Sequence, residues 1–277
     1  MAETGISDVG STLLADISST LQSFLIQESK LLSTVTRIPA LPGRKSVDLN
    51  RMGGFTVADK TENVAATLQE MTTTADTLLL DKEKVVAFGI EDRARDQSMV
   101  NLEAAGLERA AKAIALQMDQ DIADELELTS AAAPDHRIAY DNGTSLGQED
   151  ILEAKRLLAV QNIDFSECYI GVSPASEKAL LGIDNFVHVD KYGANMATQN
   201  GEIGRLYGAP VIMSNVFEDL KTMFWHPSHV AIGEQRTMQV ERDRDILKLS
   251  DNFAVHALYG MQVLDAGVRG VMVGTAA

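Results

Sequence analysis

Basic residues, aromatics and cysteine are all scarce in this 277-residue chain, and each shortage removes a class of function. Lys and Arg number 24 against 40 Asp and Glu, a net charge of −16. A sequence-independent grip on nucleic acid depends on neutralising phosphates, so it is excluded as a property of the whole surface, though not of a local patch. Eight Phe, five Tyr and one Trp do not furnish a base-stacking surface or a large aromatic pocket. The one cysteine, Cys168, rules out an internal disulfide framework and a Cys-rich zinc module. No apolar run approaches ~18 residues, so no membrane-spanning helix is expected. Met1 to Gly10 hold two acids and no Lys or Arg, unlike a signal or transit peptide, and the expectation is a soluble, intracellular product. What is present, 45% hydrophobic and 23% charged residues, suits a folded chain of one large or two small domains.

Apolar residues over 6–33 (Val9, Leu13, Ile17, Leu21, Leu25, Leu32) fall three or four apart and predict an amphipathic helix, either part of a core or an arm docked on another subunit. Ile38-Pro39 to Pro42-Gly43 ends that pattern. Residues 44–77 are polar, with Gly53-Gly54 and short alternations such as Val47-Asp48-Leu49 and Phe55-Thr56-Val57. They read either as a disordered loop or as an extended hairpin ordered by a neighbouring chain, because an isolated hairpin is marginal in water. Strands follow at Leu78–Leu80 and Val85–Phe88.

A stripe of Leu107, Ala111, Ile114, Met118, Ile122 and Leu126 predicts a helix over 97–128, with Asp96 as its N-cap. At ~1.5 Å per residue it would be about 48 Å long, comparable with the diameter of a compact globule of this size. Gly106 weakens it by ~1 kcal/mol relative to Ala and suggests a close approach of another backbone. Its C-terminal turns carry Asp119, Asp121, Asp124, Glu125 and Glu127 with no base among them. Such acids oppose the helix dipole. They form either a solvated face or a patch answered by bases elsewhere, with Arg44, Lys45, Arg51 and Lys60 of the extended segment as candidates. A composition shift around 129–147 marks a boundary. Beyond it, helices 148–160 and 174–182 and strands 168–172 and 209–213 predict a mixed α/β unit. The tail reads as strands at 238–240, 246–249, 253–258 and 268–273.

Catalytic signals are weak. Tyr169-Ile170-Gly171-Val172-Ser173-Pro174-Ala175 imitates a nucleophile elbow, with His256 downstream. An elbow needs the N–H of the residue after the nucleophile, and Pro174 has none, so Ser173 reads as a helix N-cap with proline at N1. His226 and His229 form no metal signature, and no phosphate-binding glycine motif occurs. Glu91-Asp92 and Asp243/Asp245 read as solvated acids. No catalytic, cofactor or metal residue is expected.

The order of arm, polar hairpin, long helix, α/β unit and β-rich return resembles the major capsid proteins of tailed bacteriophages, a fold shared with encapsulins and herpesvirus coat proteins. The phrases that carry the resemblance are Thr77–Lys82 with Val85–Asp92, Glu153–Leu158 with Tyr169–Pro174, Gly204–Val211 with Ser214-Asn215, and Glu241–Arg244 with Tyr259–Leu264. The resemblance implies an α+β capsid-protein fold. Residues 1–37 would be an N-terminal arm and 38–77 an extended β-hairpin loop. Residues 78–142 and 234–262 would form a peripheral domain with spine helix 97–128, and 143–233 with 263–277 a mixed α/β axial domain. It implies pentamers and hexamers in an icosahedral shell of the virion, assembled in the host bacterial cytoplasm and enclosing double-stranded DNA without tight binding. A separate scaffolding protein, a portal protein and optional decoration proteins would be the partners, with no membrane. No motif marks Lys60 and Asn252 as a cross-linking pair. The alternatives are an encapsulin-type shell and, remotely, a serine hydrolase at Ser173. The assembly contacts expected on this reading involve Arg44, Lys45, Arg51, Lys60, Asp119, Asp121, Asp124 and Glu125.

Overall fold

The computed structural model describes residues 30–39, 43–63, 65–127, 136–141, 143, 145–182 and 204–274. The arm helix expected over 6–33 lies outside the described residues up to position 29, as does most of the boundary segment at 128–135. From a short turn at Leu32–Thr34 the chain runs through β1 (Thr36–Pro39), β2 (Ser46–Met52), β3 (Thr73–Leu79), β4 (Lys82–Glu91), α1 (Asp92–Gln97) and α2 (Leu102–Glu127). Then come β5 (Arg137–Ala139), α3 (Gln148–Val160), β6 (Tyr169–Val172), α4 (Pro174–Leu181), β7 (Arg205–Leu206), β8 (Ala209–Met213), β9 (Lys221–Trp225), β10 (Val230–Asp245), β11 (Ser250–Val263) and β12 (Gly270–Gly274).

Among the described residues the strands form two sheets and one separate hairpin. The first sheet has the order β1-β10-β11-β4, with the long antiparallel hairpin of β10 and β11 at its centre. Alternate β11 residues Val255, Ala257, Tyr259 and Met261 point to one face, as the twofold period of a strand requires. There they bury against Ala110, Ile114, Met118, Ile122 and Leu126 of α2. Each fully buried Ile or Leu of this stripe contributes about 1.5–3 kcal/mol. The second sheet runs β5-β12-β9-β6-β8-β7. Its core joins Ile151, Ala154 and Leu158 of α3 to Ile170, Val172, Phe224, Val271 and Val273. The cores are not segregated by sheet: Met223 and Trp225 of β9 and Met272 of β12 pack with the α2 stripe.

The long helix is shorter than its apolar stripe suggests. It spans 26 residues, about 39 Å. Asp96 lies inside the separate α1, and Asn101 is the cap, its Oδ1 accepting the Ala104 N–H at 3.2 Å. Gly106 does face a close neighbour, but it is the Phe88 ring, 2.6 Å from where a Cβ would stand, and not a backbone. Ile246–Leu249 is a hairpin turn and not a strand: Asp245 Oδ1 accepts the N–H of Leu247 and of Lys248, and Leu249 sits at φ 50°. Among the described residues no helix is long and apolar enough to cross a membrane.

Candidate assembly surface

The β2–β3 hairpin pairs from Ser46↔Leu79 to Met52↔Thr73. Beyond that ladder Gly53 N–H still reaches Thr72 O at 2.8 Å, and the Gln69 side chain bridges to Thr56 N–H and C=O at 2.8 and 2.5 Å. All other groups of the described residues in 52–75 are exposed, including Met52, Phe55, Val57 (94%), Leu68 (95%) and Met71. The segment carries apolar side chains that the described residues do not cover. Its root is packed: Leu78 and Leu80 bury on Ala231, joined by Ile38, Val47, Leu49 and Leu264.

The expected contact residues separate into two sets. Arg44, Lys45 and Lys60 are exposed. Arg51 is committed within the chain, its guanidinium bound to Asp76 at 2.9 Å and to Asp265 in the turn after β11. Asp265 also takes Arg269 at 3.2 Å, and its own N–H donates to Asp76 at 3.2 Å.

Within the chain, Asp119, Asp121 and Glu127 at the end of α2 are held by groups outside the extended segment. Asp119 is buried and accepts the backbone N–H of Lys30 at 2.8 Å and of Leu31 at 3.3 Å. Asp121 is buried and accepts from Lys84 Nζ, Gln117 and the Tyr259 hydroxyl, the last at 2.8 Å. Burial alone would raise its carboxyl, but the hydrogen bonds from Gln117, Tyr259 and Lys84 outweigh that and hold it below the usual range. Glu127 pairs with Lys221 at 2.8 Å. Burial raises the half-buried Glu125, and Asp124 is exposed. Asp119 and Asp121 are therefore internal struts, which removes them from the set of surface contacts.

A second charged cluster was missed. Asp92, read from the sequence as solvated, is bound by Arg244 and by Arg95 at 2.5 Å. Asp251 accepts from Arg95 and Arg242 at 2.8 Å each and from Arg244 at 3.3 Å. The cluster braces α1 against the tip of the β10–β11 hairpin. Beside it Ile246, Leu247 and Leu249 stand exposed. The only sequence signal was the Arg242-Asp243-Arg244 alternation, which puts both guanidiniums on one strand face.

Among the described residues, Ser173 and His256 do not come together as a catalytic pair. Ser173 is fully buried as the N-cap of α4, its Oγ accepting the Ser176 N–H at 3.3 Å. His256 belongs to the other sheet. His226 Nδ1 lies 2.7 Å from Ser228 Oγ, while burial pushes His229 down to about 3. Burial also pushes the Cys168 thiol up to about 12, so it is not a reactive thiolate. No cluster that could hold a metal occurs among the described residues.

A family model described as phage capsid protein matches residues 74–270. No curated protein matches the sequence. Among solved structures, a chain of Mycobacterium phage Che8 is 24% identical, with 90% of this chain and 89% of that one covered at TM-score 0.68. The capsid structure of cyanophage P-SCSP1u is 14% identical, covering 99% and 95% at TM-score 0.77. The capsid of a native GTA particle is 16% identical, covering each chain completely at TM-score 0.68. These likenesses show a common fold.

Proposed function

Because the chain belongs to the phage capsid protein family, and is thus a structural shell protein of the virion that associates with its own copies, we propose that it builds an icosahedral capsid from pentamers and hexamers around double-stranded DNA. On this reading residues 1–37 are an arm and 38–77 the extended loop. Residues 78–142 with 234–262 form a peripheral domain, and 143–233 with 263–277 an axial domain. The observation that carries the proposal is the loop: residues 53–72 project with exposed Phe55, Val57, Leu68 and Met71, a segment with more to offer a neighbouring subunit than its own. Its unpaired backbone edges suit completion by another chain. The net charge of −16 suits a container that does not adhere to the nucleic acid within. A separate scaffolding protein, a portal protein and optional decoration proteins complete the assembly, which takes place in the host bacterial cytoplasm, and the shell has no catalytic role.

Replacing residues 53–72 with a short Gly/Ser linker tests this. The subunit is expected to keep its circular dichroism and lose closed shells in sedimentation and electron microscopy. Shells of normal size and heat resistance from the shortened chain would remove the loop from assembly. A wild-type chain that stays monomeric with its scaffold supplied would overturn the shell itself.

A further inference from the structure

Two observations about the root of the loop belong together. The first is that the root has little apolar anchorage. Its buried members are Leu78, Leu80 and Ala231, a far smaller set than either main core. Such a contact, with the Leu79 backbone close over Gly260 of β11, is the pivot from which the loop starts. The second is that the ladder is gripped from outside by an ion pair that runs diagonally between two of its rungs, Leu49↔Asp76 and Arg51↔Thr74. Arg51 on β2 is bound to Asp76 on β3 and to Asp265, which lies in neither strand. Arg269 holds Asp265 from the far side, and the Asp265 N–H donates to Asp76. Two guanidiniums and two carboxylates thus join both strands of the loop to the turn between β11 and β12.

That turn is itself unusual. Asp265 and Ala266 have φ of 55° and 50°, consecutive left-handed residues neither of which is glycine. Such conformations are strained for residues other than glycine and persist where surroundings over-determine them. Leu264, just before, packs into the apolar root. The strained turn therefore presents Leu264 to the pivot and the Asp265 carboxylate to Arg51.

We infer that Arg51 is the positioning residue of the extended loop, and that its ionic clamp to Asp76 and Asp265 sets the angle at which the loop leaves the subunit. The inference rests on the loop's proposed role in assembly and adds what aims it. Leverage makes the angle matter. Half of residues 53–72, at ~3.3 Å per residue, gives a reach of about 33 Å. A 10° error at the root moves the tip by roughly 6 Å on that reach, more than the separation of neighbouring strands. Subunits with unrestrained loops would meet their neighbours at many angles, and closure to one curvature needs one angle. Arg51, expected from the sequence to reach a neighbour's acids, is spent inside its own subunit for this purpose.

The test separates the aim of the loop from its contacts. Nitroxide labels at Lys60→Cys and Lys178→Cys, both exposed positions, report the loop angle in full-length subunits kept below the assembly concentration, the native Cys168 being buried. Arg51→Gln is expected to broaden the distance distribution at least twofold and to turn uniform shells into particles of mixed diameter or open sheets. Arg51→Lys, which keeps the charge and loses the fork, should fall between. An unchanged width in Arg51→Gln overturns the inference, even if shells are lost, because Arg51 would then act through a neighbour. Should Arg51→Gln fail to fold, Asp265→Asn decides by the same two readouts. Absence of shells from the wild type would refute the assembly reading and leave the distance widths to judge the clamp.

Discussion

Gly260→Ala should disturb the protein more than any other glycine-to-alanine change in its sheets. Gly260 lies in β11 where the root of the loop crosses the sheet, and a Cβ there would stand 1.8 Å from the Leu79 carbonyl oxygen, 2.7 Å from its carbon and 3.0 Å from Leu80 Cα. Ordinary contact begins at 3.4 Å, so the backbone of the root must retreat by about 1.6 Å, and no flexible side chain can absorb the overlap. Retreat also lifts Leu78 and Leu80 from Gly233, whose own Cβ position is 2.9 and 3.2 Å from their methyl carbons. Overpacking of this kind costs about 1–3 kcal/mol, and partial exposure of two leucines adds to it, giving roughly 2–4 kcal/mol in all. Urea denaturation of the full chain measures this, with Gly54→Ala as control: nothing lies within 4 Å of that position, and a change below ~0.5 kcal/mol is expected. Equal stability of Gly260→Ala and Gly54→Ala would show that the root does not rest on β11 as described.

Ser173→Ala should lose about 0.5–2 kcal/mol through the missing cap of α4, read by thermal denaturation, and should leave assembly intact; labelling of wild-type Ser173 by a serine-hydrolase probe would contradict this. Acid should loosen the hairpin tip. Hydrogen bonding from Arg244, then Arg95, holds the Asp92 carboxyl at about 2, below its ordinary 3.8. A depressed folded-state value means a contribution complete above pH ~4 and lost as pH falls through ~2. An NMR titration of Asp92 should therefore show a midpoint near 2 that Arg244→Gln moves up toward 3.8.

Periodicity made several elements legible. The apolar spacing of Ile151, Ala154 and Leu158 located α3, and Ser173-Pro174 marked the start of α4, because those signals are local and the structure obeys them. The core stripe of α2 was equally plain, but its start was not: apolar residues run on past Met99, and the Asn101 cap that ends the break at 98–101 is one polar residue among several. Ile246-Leu247-Lys248-Leu249 reads as a strand because apolar residues alternate around Lys248, yet the Asp245 carboxylate turns the chain there. Partners of the charged residues were the least legible. Lys84 and Tyr259 reach Asp121 from 37 and 138 positions away, and Asp265 lies 214 positions from Arg51. An acidic run in the sequence carries no record of such pairings, so a solvated face and a patch answered by distant bases read alike.

Trp225 gives the subunit a mechanical property. It belongs to a strand of the six-stranded sheet, yet it is buried in the core that surrounds α2, and its indole N–H donates to the Thr34 carbonyl at 3.3 Å on the chain leading into β1. Load applied to one sheet passes through this side chain into the helix and the other sheet without crossing a solvated joint. Shear between the sheets must break close-packed apolar contact, whereas beyond its clamped root the exposed loop bends against water. A wall made of such bodies strains first at the seams between them, and the bricks keep their shape while the mortar gives.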